Sequence, residues 1–416
     1  MRKLFIFSIL LWGILLSSCS DTITDDNNIN ENKLNLTADE AELVKTSQTF
    51  GIKLFREIDR ADERENIFIS PLSVSMAFGM LLNGADNATY DSIRSVLGFE
   101  NLTNEEINKA YRHLIDLLKK ADEDVLFEIA NSIWYHNSFH AEEAFLKTNM
   151  EYFDAEISAL DFADPASVNI INSWVSEKTH EKIKTIIDEL SPDEIMYLIN
   201  AIYFNGSWKY EFNKDYTRDD MFYFPDGSSG LFKMMSMQAR LNYYEDDDLQ
   251  IVELPYGNEQ YNMLIFLPKR IDGLDNFIQS LDETNWQNYL SQLKPDSGIV
   301  EMPKFKVEYK LIMNRILADM GMSLAFMPGR ADFSRINKVE ELSISRVIHK
   351  TFIKVDEEGT EAAAVTAIGI RVTSIGAEDD IFYFFANHPF FYVIREKDTG
   401  AILFMGRMDR PPVTVE

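Results

Sequence analysis

The sequence has one cysteine in 416 residues, and that residue, Cys19, lies close to the amino terminus. If Cys19 is modified there, no thiol remains for a disulfide bond, a metal centre or nucleophilic catalysis. Positive charge is also scarce, since 40 lysines and arginines stand against 68 acidic residues, a formal net charge of -28. No basic face can dominate the surface of such a chain, which argues against nucleic acid as a partner.

Long apolar runs are absent as well. The amino-terminal run from Leu4 to Leu16 follows two basic residues and is too short to cross a bilayer comfortably. The residues after it, Ser17-Ser18-Cys19, complete a segment that resembles a bacterial lipobox, in which the cysteine is lipidated. We therefore expect a lipoprotein signal peptide over 1–18, lipid on Cys19, and export to the outer membrane or cell surface. The alternative is an ordinary signal peptide followed by a chance cysteine.

Catalytic motifs are missing too. The sequence contains no Gly-x-Ser-x-Gly elbow, phosphate-binding glycine loop or calcium loop. His136 and His140 have the spacing of a zinc-binding pair on a helix, but no glutamate lies between them, and a polar loop is the better interpretation. A serine–histidine–acid triad needs no local signature, yet nothing specific asks for one. We expect no metal, no cofactor and no enzymatic activity.

One large domain is the simplest organisation. Residues 19–36 are rich in Asp and Asn and are expected to form a flexible tether. Helical periodicity begins after Thr37, a plausible N-cap with Glu40 as its capping-box partner. No linker or internal repeat follows, so we assign 37–416 to a single domain. Amphipathic helices, one of them spanning Ala166 to Ile183, fill most of the first half, and strands dominate the second, which predicts an α+β fold with substantial antiparallel sheet.

An unusual segment, "VDEEGTEAAAVTAIGIRVTSIGAEDD", extends from Val355 to Asp380. Its acidic ends and its glycines are typical of an exposed loop, whereas its centre is strand material. Alternate residues form one uncharged face, and the opposite face carries Glu361 and Arg371, which is the pattern of a strand that buries one side. The segment suits two states, an outer loop and an inner strand; the alternative is a permanent strand or a short apolar helix. The uncharged face consists of Thr360, Ala362, Ala364, Thr366, Ile368, Ile370 and Val372.

The stretch "EEGTEAAA", Glu357 to Ala364, resembles the hinge of the inhibitory serpins. Three further stretches are similar to serpin motifs in the same order: "NIFISPLSVSMAFGMLLNGADNAT" to the early helix, "LINAIYFNGSWKYEF" to the central strand, and "ANHPFFYVIREKDTGAILFMGRM" to the carboxy-terminal strands. The resemblance covers essentially everything from Thr37 onward. It implies the serpin fold, with a large mixed central sheet, further sheets, surrounding helices and an exposed reactive-centre loop over about 357–381.

The resemblance also implies roles for individual residues. A hinge that enters the central sheet, a polar cluster that controls the opening of this sheet, and an aromatic residue at the point of entry are expected. The hinge would comprise Glu357, Gly359, Thr360, Glu361, Ala362, Ala363 and Ala364. The sheet-opening cluster would comprise Ser70, Ser73, Asn200 and His349, with Trp208 at the entry point.

The implied activity is irreversible suicide-substrate inhibition of serine proteases, and also of cysteine proteases. By family loop length the cut falls between Thr373 and Ser374, with Arg371 and Val372 as alternative bait residues. A small neutral bait residue suits elastase-like or subtilisin-like enzymes, and Arg371 offers a trypsin-like cut. We expect a monomer that forms a covalent complex with its target. The alternative is a non-inhibitory serpin that acts as a binding protein.

Overall fold

Two β-sheets with helices packed around them make up the fold. The computed structural model describes residues 34–192, 194–361 and 381–412. The predicted signal peptide, Cys19 and most of the predicted tether therefore lie outside the described residues, as does the part of the predicted reactive-centre loop from Ala362 to Asp380. The described residues all belong to one compact unit that begins at Leu34. None of the helices within these ranges is long and apolar enough to span a membrane.

The first helix, α1 (Ala38–Ala61), begins where the sequence predicts. The side chain of Thr37 accepts a hydrogen bond from the Glu40 N–H, and a Glu40 carboxylate oxygen accepts one from the Thr37 N–H at 2.8 Å. The predicted capping box is thus confirmed. The other α-helices are α2 (Pro71–Leu82), α3 (Asn87–Leu97), α4 (Asn104–Leu118), α5 (Glu143–Phe153), α6 (Ala166–Lys178), α7 (Leu274–Ser280), α8 (Glu283–Gln292) and α9 (Asn314–Leu317).

The helix predicted to reach Ile183 ends earlier, at Lys178. Thr179 turns its hydroxyl back onto the carbonyl oxygen of Val175, and His180 and Glu181 have positive φ angles of 48° and 62°. Two successive residues in the left-handed region cannot continue a right-handed helix. The residues that follow, 182–192, form an irregular segment that we call the strap, and its Ile183, Ile186 and Ile187 share a buried apolar cluster with Tyr197 and Ile199 of one sheet.

The larger sheet has nine strands and contains much of the core. Its only parallel pair among the described residues joins β13 to β9. Three of its central strands are buried along their whole length, as expected for continuous apolar runs. The strands are β1 (Asn66–Ile69), β5 (Arg218–Tyr223), β6 (Ser229–Glu245), β7 (Leu249–Pro255), β8 (Tyr261–Pro268), β9 (Lys294–Pro303), β13 (Phe382–Phe385), β14 (Phe390–Glu396) and β15 (Ile402–Met408).

The second sheet has six strands, β2 (Val125–His136), β3 (Glu156–Leu160), β4 (Met196–Ser207), β10 (Phe305–Ile312), β11 (Ile348–Val355) and β12 (Gly359–Thr360). Their order in the sheet is β10-β11-β12-β4-β2-β3. The sheet is mixed, because β2 and β3 run parallel whereas the other described neighbours are antiparallel. The predicted α+β class and mixed central sheet are confirmed, although sequence reasoning missed β2 and β3 within the helical first half.

A gap in the second sheet positions the functional site. Within the described ranges, β4 and β11 are joined only through the two residues of β12 at one end. The remainder of the β4 edge that faces β11, and of the β11 edge that faces β4, pairs with no described strand. We call this gap the slot, and the end that holds β12 its upper end.

Candidate functional site

The chain enters the slot directly after β11. It turns between Val355 and Gly359, and Thr360 then pairs with Val355 on one side and with Gly206 of β4 on the other. The Glu361 N–H donates to the carbonyl oxygen of Lys354 at 3.0 Å, which extends the β11 register by one residue. A Cβ at Gly359 would overlap the carbonyl oxygen of Gly206 and lie 2.8 Å from the Cα of Ser207. Only glycine fits between the two strands at this position.

The Thr360 side chain points into the core. It is 2% exposed, and its hydroxyl lies 2.6 Å from the hydroxyl of Tyr256. The Tyr256 ring stacks on Trp208 with 4.3 Å between ring centroids. Trp208 holds the turn before the hinge, because its backbone N–H donates to the carbonyl oxygen of Glu358 and its indole N–H to that of Asp356, both at 2.9 Å. The structure therefore places Trp208 beside the hinge.

Glu361 lies on the opposite face, yet it is also buried. Lys182 of the strap covers it, with 3.4 Å between the Lys182 Nζ and a carboxylate oxygen. Burial raises the pKa of Glu361, and the ammonium of Lys182 offsets this only in part. Thr360 inward and Glu361 outward agree with the two faces predicted from the alternating sequence. The residues from Ala362 to Ala364 lie outside the described ranges.

The acidic residues before Gly359 are not exposed, contrary to the loop-like pattern of the sequence. Asp356 and Glu357 are both buried. Burial acts to raise the pKa of Glu357, but the ion pair with Lys304 at 2.7 Å and the hydrogen bond from the Thr217 hydroxyl at 2.7 Å outweigh it, so that this pKa is lowered. The Glu357 carboxylate thus fastens the hinge to Thr217, which precedes β5, and to Lys304, which follows β9.

Three of the four residues predicted to control sheet opening meet at the start of α2. The Ser70 N–H donates to Nε2 of His349 at 3.0 Å, and the Ser70 hydroxyl oxygen caps the helix by accepting from the Ser73 N–H at 3.2 Å. All three residues are buried. Burial lowers the pKa of His349 to about 4, so the imidazole is neutral near pH 7 and can accept through Nε2.

The fourth residue, Asn200, bonds elsewhere. Its side-chain N–H donates to Oδ1 of Asn131 on β2 at 2.5 Å, and Asn131 in turn donates to the carbonyl oxygen of Phe153 at 2.7 Å. The side-chain amide oxygen of Asn200, Oδ1, is buried and has no hydrogen-bond partner among the described residues. Asn200 does face the same cavity as Ser73 and His349. We call this space, of about 230 Å³ between β4, β11 and α2, the slot cavity.

Sequence reasoning missed several partners of these residues. Tyr256 and Lys182 contact the hinge, and Asn131 holds Asn200. Thr351 ties β11 to β1, because its hydroxyl donates to the carbonyl oxygen of Phe68 at 2.5 Å. Tyr256 and Thr360 are 104 positions apart, and no local pattern in the sequence marks them as a pair.

Other predicted residues fall away from the slot or outside the described ranges. His136 is the last residue of β2 and shares a hydrogen bond of 2.7 Å with Ser138, and His140 lies in the loop that follows. No cluster of described histidine, cysteine or acidic residues could hold a metal ion. The proposed bait residues Arg371, Val372, Thr373 and Ser374 lie in the undescribed segment, like Cys19.

Comparisons with known proteins agree on one family. Residues 45–411 match the family model described as Serpin (serine protease inhibitor). The chain is 37% identical to Iripin-2 of Ixodes ricinus over 89% of this chain and 94% of that protein. It is 31% identical to neuroserpin of Homo sapiens over 86% and 90%.

Solved structures give the same result. The crystal structure of the thermophilic serpin tengpin in its native state matches with a TM-score of 0.80 and 32% identity, covering 91% of this chain and 96% of that one. Its latent-state structure matches with a TM-score of 0.77 and 31% identity, covering 92% and 100%. The chain, from its capped first helix to its hinge and its last strands, belongs to the serpin family of serine protease inhibitors.

Proposed function

We propose that this serpin is inhibitory and acts as an irreversible suicide substrate of serine proteases, and also of cysteine proteases. The target cuts the reactive-centre loop and forms an acyl-enzyme. The upstream half of the loop then enters the slot as a new strand and carries the tethered protease along. The protease is distorted before it can hydrolyse the acyl bond.

The position of the hinge is the observation that carries this proposal. Thr360 already pairs with both β4 and β11, and Gly359 pairs with β4, so the first step of insertion needs no new register. A strand that continued past Glu361 would meet the β11 edge from Ile353 to Ile348 and the β4 edge from Phe204 to Met196. Each added backbone hydrogen bond contributes about 0.5–1.5 kcal/mol net.

The sequence after the hinge suits this path. Ala362, Ala363 and Ala364 are small and uncharged, so their burial leaves no unpaired polar side chain. Non-inhibitory relatives carry bulky or charged residues or proline at such positions, which makes the binding-protein alternative the weaker one. Such a protein would be cut without a covalent complex.

We place the reactive bond at Thr373-Ser374, with Arg371 and Val372 as alternative bait residues. The test is an SDS gel of the domain after mixing with an elastase, a trypsin and a subtilisin. We expect a covalent band with the elastase or subtilisin, at a mass close to that of the serpin and the protease together. Mass spectrometry should show that the released carboxy-terminal fragment begins at Ser374. A fragment that begins at Val372 would move the bond to Arg371, and cleavage without any covalent band would overturn inhibition.

We also propose that lipid on Cys19 anchors the protein at a bacterial outer membrane or cell surface. The lipobox-like stretch Leu16-Ser17-Ser18-Cys19 and the acid-rich residues up to 36 support this proposal. A monomeric inhibitor on such a tether would protect the envelope from foreign proteases. Incorporation of a radioactive fatty acid should be lost in Cys19→Ala; incorporation that persists in the variant would contradict the anchor.

A further inference from the structure

The slot cavity has the composition of a small-molecule site. Its lining residues come from α2, β4, β11 and the residues before β11, and thirteen of the twenty are apolar, among them Phe78, Leu81, Leu198, Phe333, Leu342 and Ile344. The polar and charged lining residues are Ser73, Asn200, Glu341, Ser343, Ser345, Arg346 and His349. Ligand pockets combine apolar side chains with polar groups that fix the orientation of the ligand.

One buried polar atom of the cavity lacks a partner. The Asn200 side chain is held in one orientation, because its N–H group donates to Asn131, which itself is fixed by the carbonyl oxygen of Phe153. This leaves the Asn200 Oδ1 buried with no donor among the described residues. An unpaired buried acceptor costs free energy, and a ligand with an N–H or O–H group would satisfy it.

Charge at the cavity is already balanced. Arg346 forms two hydrogen bonds of 3.0 Å with the carboxylate of Glu194, and the other charged residue of the lining, Glu341, is exposed to solvent. His349 is neutral near pH 7 because burial lowers its pKa to about 4. A charged ligand would therefore lose its hydration without gaining a free counter-charge.

Volume limits the size of the ligand. A cavity of about 150 Å³ accepts benzene, so by proportion about 230 Å³ takes about nine non-hydrogen atoms. From these observations we propose that the slot cavity binds a small, neutral aromatic molecule with one hydrogen-bond donor, of the size of indole. The N–H or O–H group of the ligand would donate a hydrogen bond to the side-chain oxygen Oδ1 of Asn200.

A ligand there would also act on the serpin, and this part rests on the proposed function. A strand that entered the slot would have to bury its inward side chains between β4 and β11, where the slot cavity lies. An occupant competes with those side chains. It therefore slows insertion and lets more of the acyl-enzyme hydrolyse before it is trapped.

Calorimetric titration of the full-length protein with indole tests the site. Indene is the matched control ligand, since it has the same shape and no N–H. We expect indole to bind and indene to bind severalfold more weakly, up to about tenfold, for one hydrogen bond. Asn200→Leu should make the two ligands bind equally. Ala77→Phe, which fills the cavity, should abolish binding, whereas Thr148→Phe in the separate groove between α4 and α5 should leave it unchanged.

Other results would overturn the inference. If indole does not bind, if Ala77→Phe binds it as the parent does, or if Asn200→Leu keeps the preference for indole, the site is wrong. Circular dichroism shows whether each variant folds, and Asn200→Leu decides if Ala77→Phe does not. Saturating indole should raise the ratio of serpin cut to protease trapped at least twofold; an unchanged ratio would overturn the competition. If no protease is trapped at all, the proposed function fails while the titration still decides the site.

Discussion

The two ends of the slot differ in how their polar groups and side chains are satisfied. At the upper end, β12 lies between β4 and β11, and Thr360, Tyr256 and Trp208 form a continuous buried contact. At the lower end, the described residues leave both strand edges without a partner. There the side-chain oxygen Oδ1 of Asn200, which lines the slot cavity, has no hydrogen-bond donor among the described residues. Among the described residues, the sheet is closed where the hinge enters, and no strand lies between β4 and β11 where an inserted strand would finish.

This difference indicates where the molecule is fixed and where it has free energy to gain. Three lysines, Lys182, Lys214 and Lys304, form ion pairs with glutamates of the hinge and of the turn before it. These ion pairs fix the position of the hinge in the uncut protein. Within the described ranges, the lower slot offers backbone edges without a strand partner and several apolar side chains, which an added strand would pair with and cover. We expect substitutions at the upper end to decide whether insertion starts, and substitutions at the lower end to change how much is gained.

The largest effect is expected for Thr360→Arg. The guanidinium would replace a side chain that is 2% exposed and would lie unpaired against Tyr256. The protein should become a substrate, with the number of serpin molecules consumed per trapped protease raised at least about tenfold, a factor that corresponds to 1.4 kcal/mol. Thr360→Ser, which keeps the hydroxyl, is the control and should trap the protease nearly as well as the parent. Trapping by Thr360→Arg at the parent ratio would show that the hinge does not enter here.

His349 tests the lower end through pH. Because burial lowers its pKa from 6.5 to about 4, the unfolded chain binds a proton that the native state does not. Native stability from this group is present above about pH 6.5 and is lost as the pH falls towards 4, by about 3 kcal/mol in total. In urea unfolding, the stability of the parent relative to His349→Gln should fall by roughly that amount between pH 7.5 and pH 4. A constant difference would mean that His349 titrates normally.

Gly359→Ala is expected to loosen the upper end alone. The added methyl group cannot fit beside Gly206 and Ser207, so the two strand pairs of β12 should break at a cost of about 1–3 kcal/mol. We expect a fall of several degrees in melting temperature and faster amide exchange at Glu361, whose N–H now bonds Lys354. Gly227→Ala, at a turn where an added Cβ would meet nothing within 4 Å, is the control for a glycine replacement away from the slot and should leave exchange at Glu361 unchanged. Unchanged exchange in Gly359→Ala would contradict the close packing.

Glu361→Gln should have the smallest effect. Whether amide exchange at position 361 becomes slower or faster shows whether burial or the Lys182 ion pair dominates at this carboxylate. Burial raises the pKa of Glu361, so its protonated form is favoured in the native state and stability is lost as the pH rises through that raised pKa. The side chain of glutamine does not ionise, so the variant does not lose this stability as the pH rises. Amide exchange at position 361 should be slightly slower in the variant at pH 8, with no difference near pH 4. Faster exchange in the variant at pH 8 would mean that the Lys182 ion pair outweighs burial.

Local features of the fold could be predicted from the sequence, and long-range ones could not. The capping box of Thr37 and Glu40 was predicted because its members are three residues apart and its chemistry is local. The predicted end of α6 was wrong. The helix stops because His180 and Glu181 adopt left-handed φ angles, and no glycine or proline at these positions marks the stop in the sequence. The strands β2 and β3 were missed for a related reason, since stretches of mixed apolar and polar residues between two helices fit a helix as well as a strand.

The candidate site divides in the same way. The two faces of the hinge follow from alternation, and the placement of Thr360 and Glu361 agrees with it. The buried position of Glu357 could not be predicted, because its partners Lys304 and Thr217 are distant in sequence. The bond from Asn200 to Asn131 depends on the register between β2 and β4, which pairs these two residues directly.

The most direct test of the account is a thermal melt of the intact protein against the same protein nicked once within the reactive-centre loop. About ten additional backbone hydrogen bonds at about 1 kcal/mol each should raise the melting temperature by about 10 °C or more. The Thr360→Arg variant, nicked in the same way, should gain much less. A nicked parent that melts at or below the temperature of the intact protein would contradict insertion into the slot.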